Sequence, residues 1–277
     1  MNNTFMEDFC EQMCNAIFTR QSNRQFLPER LSQVHETAIL SFLDKLTVPF
    51  PHDASISFHK ISQDAHVVYF KGPLQFIALE SPKSVEDQAK LGFLGELIVL
   101  YAESLGVRTC WMGHYSKKQV SKIVYNDRLQ ESERQLFCII LLGYLPEKMG
   151  VLDRISKRRF SKKNRTIESF LHKDSQTDFP AFIRYALALS SKAPSAMNTQ
   201  KWYYRVSIVE NKYAVELGKN KGYKHFKWPY YDIDVGTAAA HIWLGLKVHN
   251  AIHSVTCSSD GHDSVWSFLV KDSGLSV

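Results

Sequence analysis

Residues 190–202 read S-S-K-A-P-S-A-M-N-T-Q-K-W, and how this stretch folds decides how the chain on either side is arranged. Upstream, Phe182, Ile183, Tyr185, Ala186, Leu187 and Leu189 recur at helical spacing; downstream, Tyr203, Arg205, Val206 and Ile208 follow a strand-like pattern. Pro194 biases Ala193 out of the helical region, which predicts that the helix ends before it. Between helix and strand lies a corner that presents Ser195, Asn198 and Gln200, with Trp202 pinning it down. Side chains that each bring a donor and an acceptor to a fixed place suit a planar ligand with polar edges. An ordinary capped turn has the same composition, and the stretch alone does not separate the two.

Working outward, residues 6–19 predict an amphipathic helix. Residues 29–46 predict another, with Leu31, Val34, Ala38, Ile39, Phe42, Leu43 and Leu46 on one face and Pro49 and Pro51 ending it. Strands are expected over 55–61, 66–70 and 74–80, the last nearly all apolar and therefore central in a sheet. Residues 86–105 predict a long helix buried on most sides, closed by Gly106. Val107 to Gly113 then runs out to a second ligand-facing corner. A helix over 117–124 and a central strand over 137–143 complete the first half.

The second half repeats that order. Gly92 and Gly106 align with Gly236 and Asn250 at one shift, since 236 − 92 and 250 − 106 both equal 144, and Pro49 aligns with Pro194 at 145. Helix 182–191 then answers the end of helix 29–46, and helix 235–249 answers 91–105. A self-similarity of this period exceeds solenoid repeats. The expectation is an α+β chain, in α/β/α layers and internally duplicated as a pseudo-dimer: a first unit over 1–150, a basic crossover over 151–170 and a second unit over 171–277, forming one compact pseudo-symmetric body.

Composition narrows the class. With 277 residues, 44% of them hydrophobic and 22% charged, the chain can bury a large core and is not of disordered type. Much of its net charge of +6 sits in Arg154 to Arg165, R-I-S-K-R-R-F-S-K-K-N-R. Such a cluster fits a bound phosphate, a solvated linker or a nucleic-acid patch. Cys10, Cys14, Cys110, Cys138 and Cys257 are odd in number and scattered, and no second pair joins Cys10 and Cys14 in a metal site, so reduced thiols in a cytoplasmic protein are expected. The start M-N-N-T-F-M-E-D-F lacks the regions of a secretion signal, and no apolar run approaches the roughly 18 residues of a membrane span. No membrane partner is expected.

A second polar constellation lies near the start. In R-Q-S-N-R-Q-F, period-two spacing puts Arg20, Ser22 and Arg24 on one side of an extended backbone. Two guanidinium forks around a hydroxyl fit a phosphate; a solvated basic loop is the other reading. The halves have diverged unequally. Ser195 and Asn198 correspond to Phe50 and Asp53, and nothing after Arg165 restores the three-residue clamp. If the copies pack about a pseudo-twofold axis, as subunits of a symmetric dimer do, the surviving clamp and the surviving polar corner meet in a single site.

These motifs resemble those of a known family. R-Q-S-N-R-Q-F resembles the R-x-S-x-R-x-F/Y opening of FMN-dependent nitroreductases, P-S-A-M-N-T-Q-K-W their P-S-x-x-N-x-Q-P-W segment, and L-G-V-R-T-C-W-M-G with L-L-G-Y-L-P their later core motifs. The fused arrangement resembles the subgroup in which one polypeptide imitates the usual homodimer. The resemblance implies a nitroreductase-like fold with FMN held between two units. It implies that Arg20, Ser22 and Arg24 grip the phosphate and ribityl chain, helped by Lys163 and Arg165. It further implies that Pro194, Ser195 and Asn198 of the partner unit cover the isoalloxazine, while Trp111, Met112 and Gly113 approach its reactive edge through their backbone. Lys71 is the candidate cation for the anionic edge of the reduced ring. Two departures stand out: Lys201 replaces a proline, and His114, bulkier than the usual residue after Gly113, narrows the acceptor pocket.

Hydride chemistry in such a protein belongs to the cofactor, so no catalytic side chain is expected. The implied reaction is ping-pong transfer from NAD(P)H through FMN to a small nitroaromatic or quinone acceptor, in a monomer whose two units imitate a dimer. No Ser/His/Asp order, H-E-x-x-H, Walker loop or G-x-G-x-x-G points to other chemistry, and no metal site is expected. His241 and Trp243 read as core, Asp232 and Asp234 as helix caps, and the aromatic run from Tyr223 through His225, Phe226, Trp228 and Tyr230 to Tyr231 as a lid or a domain edge. The other classes open to the chain are a flavin- or nucleotide-binding sensor without turnover and a nucleic-acid binder working through residues 154–165.

Overall fold

The computed structural model describes residues 4–126, 133–147, 165–220, 228–259 and 262–271, the side chains of 4–8 excepted. Lys163 and nearly all of the basic run lie outside the described residues, as do Tyr223, His225 and Phe226. In the first half, helices α1 (Thr4–Thr19) and α2 (Gln33–Lys45) precede strands β1 (Ser55–Lys60) and β2 (Gln75–Pro82). Helix α3 (Val85–Ser104), strand β3 (Arg108–Met112), helix α4 (Lys117–Tyr125) and strand β4 (Arg134–Gly143) follow. The second half has a 3-10 turn at Ile167–Phe170, helix α5 (Ala181–Ser190), another 3-10 turn at Ala196–Asn198, and strands β5 (Trp202–Val209) and β6 (Lys212–Lys219). Helix α6 (Tyr231–Val248) and strands β7 (Ile252–Ser259) and β8 (Ser264–Val270) end it. Each half forms one antiparallel four-stranded sheet, and the strand orders match: β1-β2-β4-β3 and β5-β6-β8-β7.

Helix α3 starts at Ser84, whose hydroxyl accepts the Asp87 amide at 3.0 Å. It stops at Gly106, whose φ of +78° suits a residue without a side chain. Asn250 fills the matching place after α6 with a φ of +51°, asparagine being a residue that tolerates this region. Residues Gln88 to Glu103 of α3 and Tyr231 to Leu246 of α6 are all buried. Helices apolar on nearly every side need cover all round, and these two cover each other. They meet at glycines. A Cβ on Gly92 would lie 2.0 Å from the Ile233 carbonyl oxygen, and one on Gly236 would lie 1.9 Å from that of Ala89. Each glycine faces the carbonyl three residues before the other.

The two sheets are covered differently. In the first, Ile77, Leu79, Cys138, Ile140 and Leu142 join the central core, while Phe76, Ala78, Ile139 and Leu141 join a second cluster with Tyr115 and Val120. Burial on both faces is why β2 and β4 read as continuous apolar runs. Strand β8 alternates instead, with Trp266, Phe268 and Val270 directed inward. Residues 66–70, expected as a strand, form none. Val67 and Val68 instead plug the second cluster, the Val67 carbonyl accepts the Ser116 amide at 2.9 Å, and the chain bends over 67–70 where a ladder would need extended backbone. No helix among the described residues is long and apolar enough to cross a membrane.

Candidate functional site

Both halves contribute to a cleft of about 260 Å³. From the first half come Ser22 and Arg24, the segment Trp111, Met112, Gly113 and His114 at the end of β3, and Cys138 of β4. The second half supplies Pro194 to Met197, Trp228, and Ile233, Asp234 and Thr237 from the start of α6.

The front segment is extended as its spacing requires. Ser22 bridges Thr109 in parallel, and the Asn23 amide bonds the Thr109 carbonyl at 3.1 Å, so the segment lies along β3. Ser22 and Arg24 thereby reach the wall of the cleft. Arg20 does not. Its amide still bonds Ala16 at 2.8 Å in the last turn of α1, and its side chain turns into the protein. There Nε lies 3.8 Å from Glu96 Oε1 and is buried without a hydrogen-bond partner among the described residues. Glu96 is itself fully buried and is the hub of a polar network: Oε2 accepts Trp111 Nε1–H at 2.8 Å, and Oε1 lies 3.0 Å from His241 Nε2. The Leu189 carbonyl, 2.9 Å from His241 Nδ1, requires a proton on that nitrogen. His241, expected as core, is buried there and also ties α6 to α3.

The corner is held mainly by its own neighbours. Ser195 Oγ accepts the Gln200 amide at 2.9 Å, and the Gln200 side chain donates to Ser191 at 2.7 Å and Ala193 at 3.0 Å. Thr237 Oγ1 donates to the Pro194 carbonyl at 2.8 Å. Arg165 donates to the Thr199 and Gln200 carbonyls at 3.1 and 3.2 Å, which places it behind the corner and off the wall. Met197, Asn198 and Gln200 all have left-handed backbone, with φ of 55°, 53° and 46°. Such strain in residues other than glycine concentrates at functional sites. Asn198 belongs to this strained turn but does not line the cleft, and neither does Lys71, which is exposed on a loop.

Asp232 and Asp234, expected as caps, act elsewhere because α6 begins at Tyr231 and puts both within its first turn. Asp232 Oδ1 accepts the Ser264 amide at 2.8 Å and its hydroxyl at 2.7 Å, fastening α6 to β8. Asp234 Oδ2 accepts the Ala196 amide at 3.0 Å, fastening α6 to the corner. Burial, with the negative charge of Asp232 adding to it, pushes the Asp234 carboxyl well above the usual range for an aspartate. Burial likewise raises the Cys138 thiol, which keeps it un-ionised. Trp228 packs against Gly113, where a Cβ would be 2.0 Å from the indole, and its Nε1–H is buried with no partner among the described residues. Sequence reasoning missed the part played by Asp234. The available signal was a second acid, beside Asp232, at the start of a largely apolar helix and 144 residues after Lys90.

Residues 12–246 match the family described as "Putative TM nitroreductase". The chain belongs to that family. Membership makes this nitroreductase-family chain an oxidoreductase in general terms. Its fold is similar to that of a crystal structure described as a "putative nitroreductase" from Thermotoga maritima, with 22% identity, a TM-score of 0.60 and coverage of 94% of each chain. Two shorter structures align with about half of this chain. A nitroreductase with bound FMN from Bacteroides fragilis is 15% identical with a TM-score of 0.41, covering 50% of this chain and 91% of its own. An FMN-dependent nitroreductase from Clostridium difficile is 18% identical with a TM-score of 0.38, covering 54% and 98%. No curated protein matches the chain in sequence.

Proposed function

We propose that the chain is an FMN-dependent oxidoreductase of two fused units, 1–150 and 171–277, with one flavin site per chain. The observation that carries this is the cleft itself, since neither half alone supplies both the front segment at Ser22 and Arg24 and the polar corner at Pro194 and Ser195. Matching sheet orders, the reciprocal Gly92 and Gly236 contact, and left-handed residues at both 106 and 250 support the fused-unit reading.

The residues present fit the cofactor. Arg20 Nε is a buried cationic donor with no hydrogen-bond partner among the described residues, on the same front segment as Ser22 and Arg24, which suits a phosphate group. About 260 Å³ of cavity is slightly below the roughly 300–1,000 Å³ of common ligand pockets, so the flat ring belongs inside and the phosphate tail along the open arginine side. FMN, when bound, supplies hydride transfer between NAD(P)H and a nitroaromatic or quinone acceptor in ping-pong order. The chain's own residues bind and orient. Ser195 keeps its O–H available because its oxygen accepts Gln200. Trp111 is fixed by Glu96, and Trp228 with His114 limits the room left for an acceptor.

Reconstitution of the purified protein with FMN tests the proposal. The expected result is one FMN per chain, bleached by NAD(P)H and recovered with menadione or nitrofurazone. Colour without bleaching would make the protein a flavin carrier. Two flavins per chain would refute the shared site.

A further inference from the structure

Asp234 stands on the wall of the cleft as a carboxyl without a counter-ion among the described residues. Its Oδ2 accepts the Ala196 amide at 3.0 Å, and no described residue hydrogen-bonds Oδ1. The ionisable groups around it give a carboxylate no support. The Ala196 amide alone favours the carboxylate and is outweighed by burial, Asp232 on the same helix repels negative charge, and Cys138 on β4 is a neutral thiol. Arg24 and His114 share the cleft wall without pairing to Asp234, and the corner residues Pro194 to Met197 carry no charge. Burial then favours the neutral form. Because an N–H already points at Oδ2, the proton resides on Oδ1.

We infer that Asp234 serves the cleft as a neutral carboxylic acid, donating Oδ1–H to a carbonyl oxygen or ring nitrogen on the edge of the flat heteroaromatic bound there. This rests on the flavin reading of the cleft. Such an edge is rich in acceptors; a carboxylate would repel them, whereas an acid kept neutral by a dry site binds them. The first half has no counterpart, since its matching residue is Lys90, ion-paired to Glu86 at 2.6 Å.

Linkage makes the inference measurable. A donor lost on ionisation weakens binding as pH rises through the pKa of Asp234, by about tenfold per pH unit while only the free protein has ionised. FMN affinity is therefore measured from about pH 7 upward, where the FMN phosphate is already ionised, by flavin fluorescence. For the wild type, affinity should fall as pH rises. Asp234→Asn, which keeps an acceptor for Ala196 and a permanent donor for the ring, should bind FMN with a flat profile. Asp234→Ala should bind about tenfold more weakly than Asp234→Asn at every pH, the equivalent of one hydrogen bond. A flat wild-type profile, or Asn and Ala variants equally impaired, overturns the inference while leaving the flavin site standing. Infrared spectra of the flavin-free protein at neutral pH give a second readout. A protonated-carboxyl stretch present in the wild type and missing in Asp234→Asn is expected, and its absence from the wild type overturns the neutral acid whatever FMN does. A wild type that shows the stretch but takes up no FMN refutes the flavin reading, and the donor role with it.

Discussion

The corners at 49–53 and 194–198 occupy matching places in the two halves and have opposite fates. In the first, Phe50 is buried edge-on against Phe93 at 5.0 Å and Trp266 at 5.0 Å, and Trp266 stacks on Phe93 at 5.1 Å. Ser195, the counterpart of Phe50, instead faces an open cleft. None of residues 49–53 has a positive φ, whereas Met197 and Asn198 in the second corner both do. The first corner is core without left-handed backbone, whereas the second holds polar groups and left-handed residues of the kind that concentrate at functional sites, beside the buried Asp234 of α6. Under the proposed flavin reading, the contrast marks the corner that meets the ligand.

The comparison can be broken most forcefully at Phe50. Phe50→Ala removes a ring from an aromatic cluster and should destabilise the protein by about 3–5 kcal/mol in denaturant unfolding, without creating a second flavin site. A loss under about 1 kcal/mol would mean that this corner is not core. Gly236→Ala and Gly92→Ala each place a methyl group against a facing backbone carbonyl, and each should cost about 1–3 kcal/mol. Similar losses measured for the two variants are the signature of a reciprocal contact, and a large inequality would break the symmetry between the halves. The smallest effect is expected at Ser195→Ala, which deprives the Gln200 amide of its acceptor for about 1 kcal/mol. Its informative readout is weaker FMN binding, since a merely structural serine would leave affinity intact.

Much of this architecture was legible in the chain. The apolar runs of β2, β4, α3 and α6 are long enough to mark the centre of the first sheet and the two central helices, and the 144-residue shift lands on the two glycines that touch. Period-two reasoning placed Ser22 and Arg24 on one side but carried Arg20 with them. The last turn of α1 claims the Arg20 amide, so the alternation begins one residue later. Its proximity to Glu96 is a tertiary contact between distant parts of the chain, for which local periodicity has no signal. The positions of Arg165 and Asn198 were obscure for a related reason. Whether a polar group faces a cleft or a neighbouring carbonyl depends on the left-handed turns at 197, 198 and 200, and none of these is a glycine that would announce them.

The contact between α3 and α6 has a further consequence. Because Gly92 and Gly236 bring main chain against main chain, peptide dimensions fix the spacing of the two helices there as long as both glycines remain. Mutational drift can therefore redecorate the gap between the halves, polar on one side and aromatic on the other, while its span stays constant.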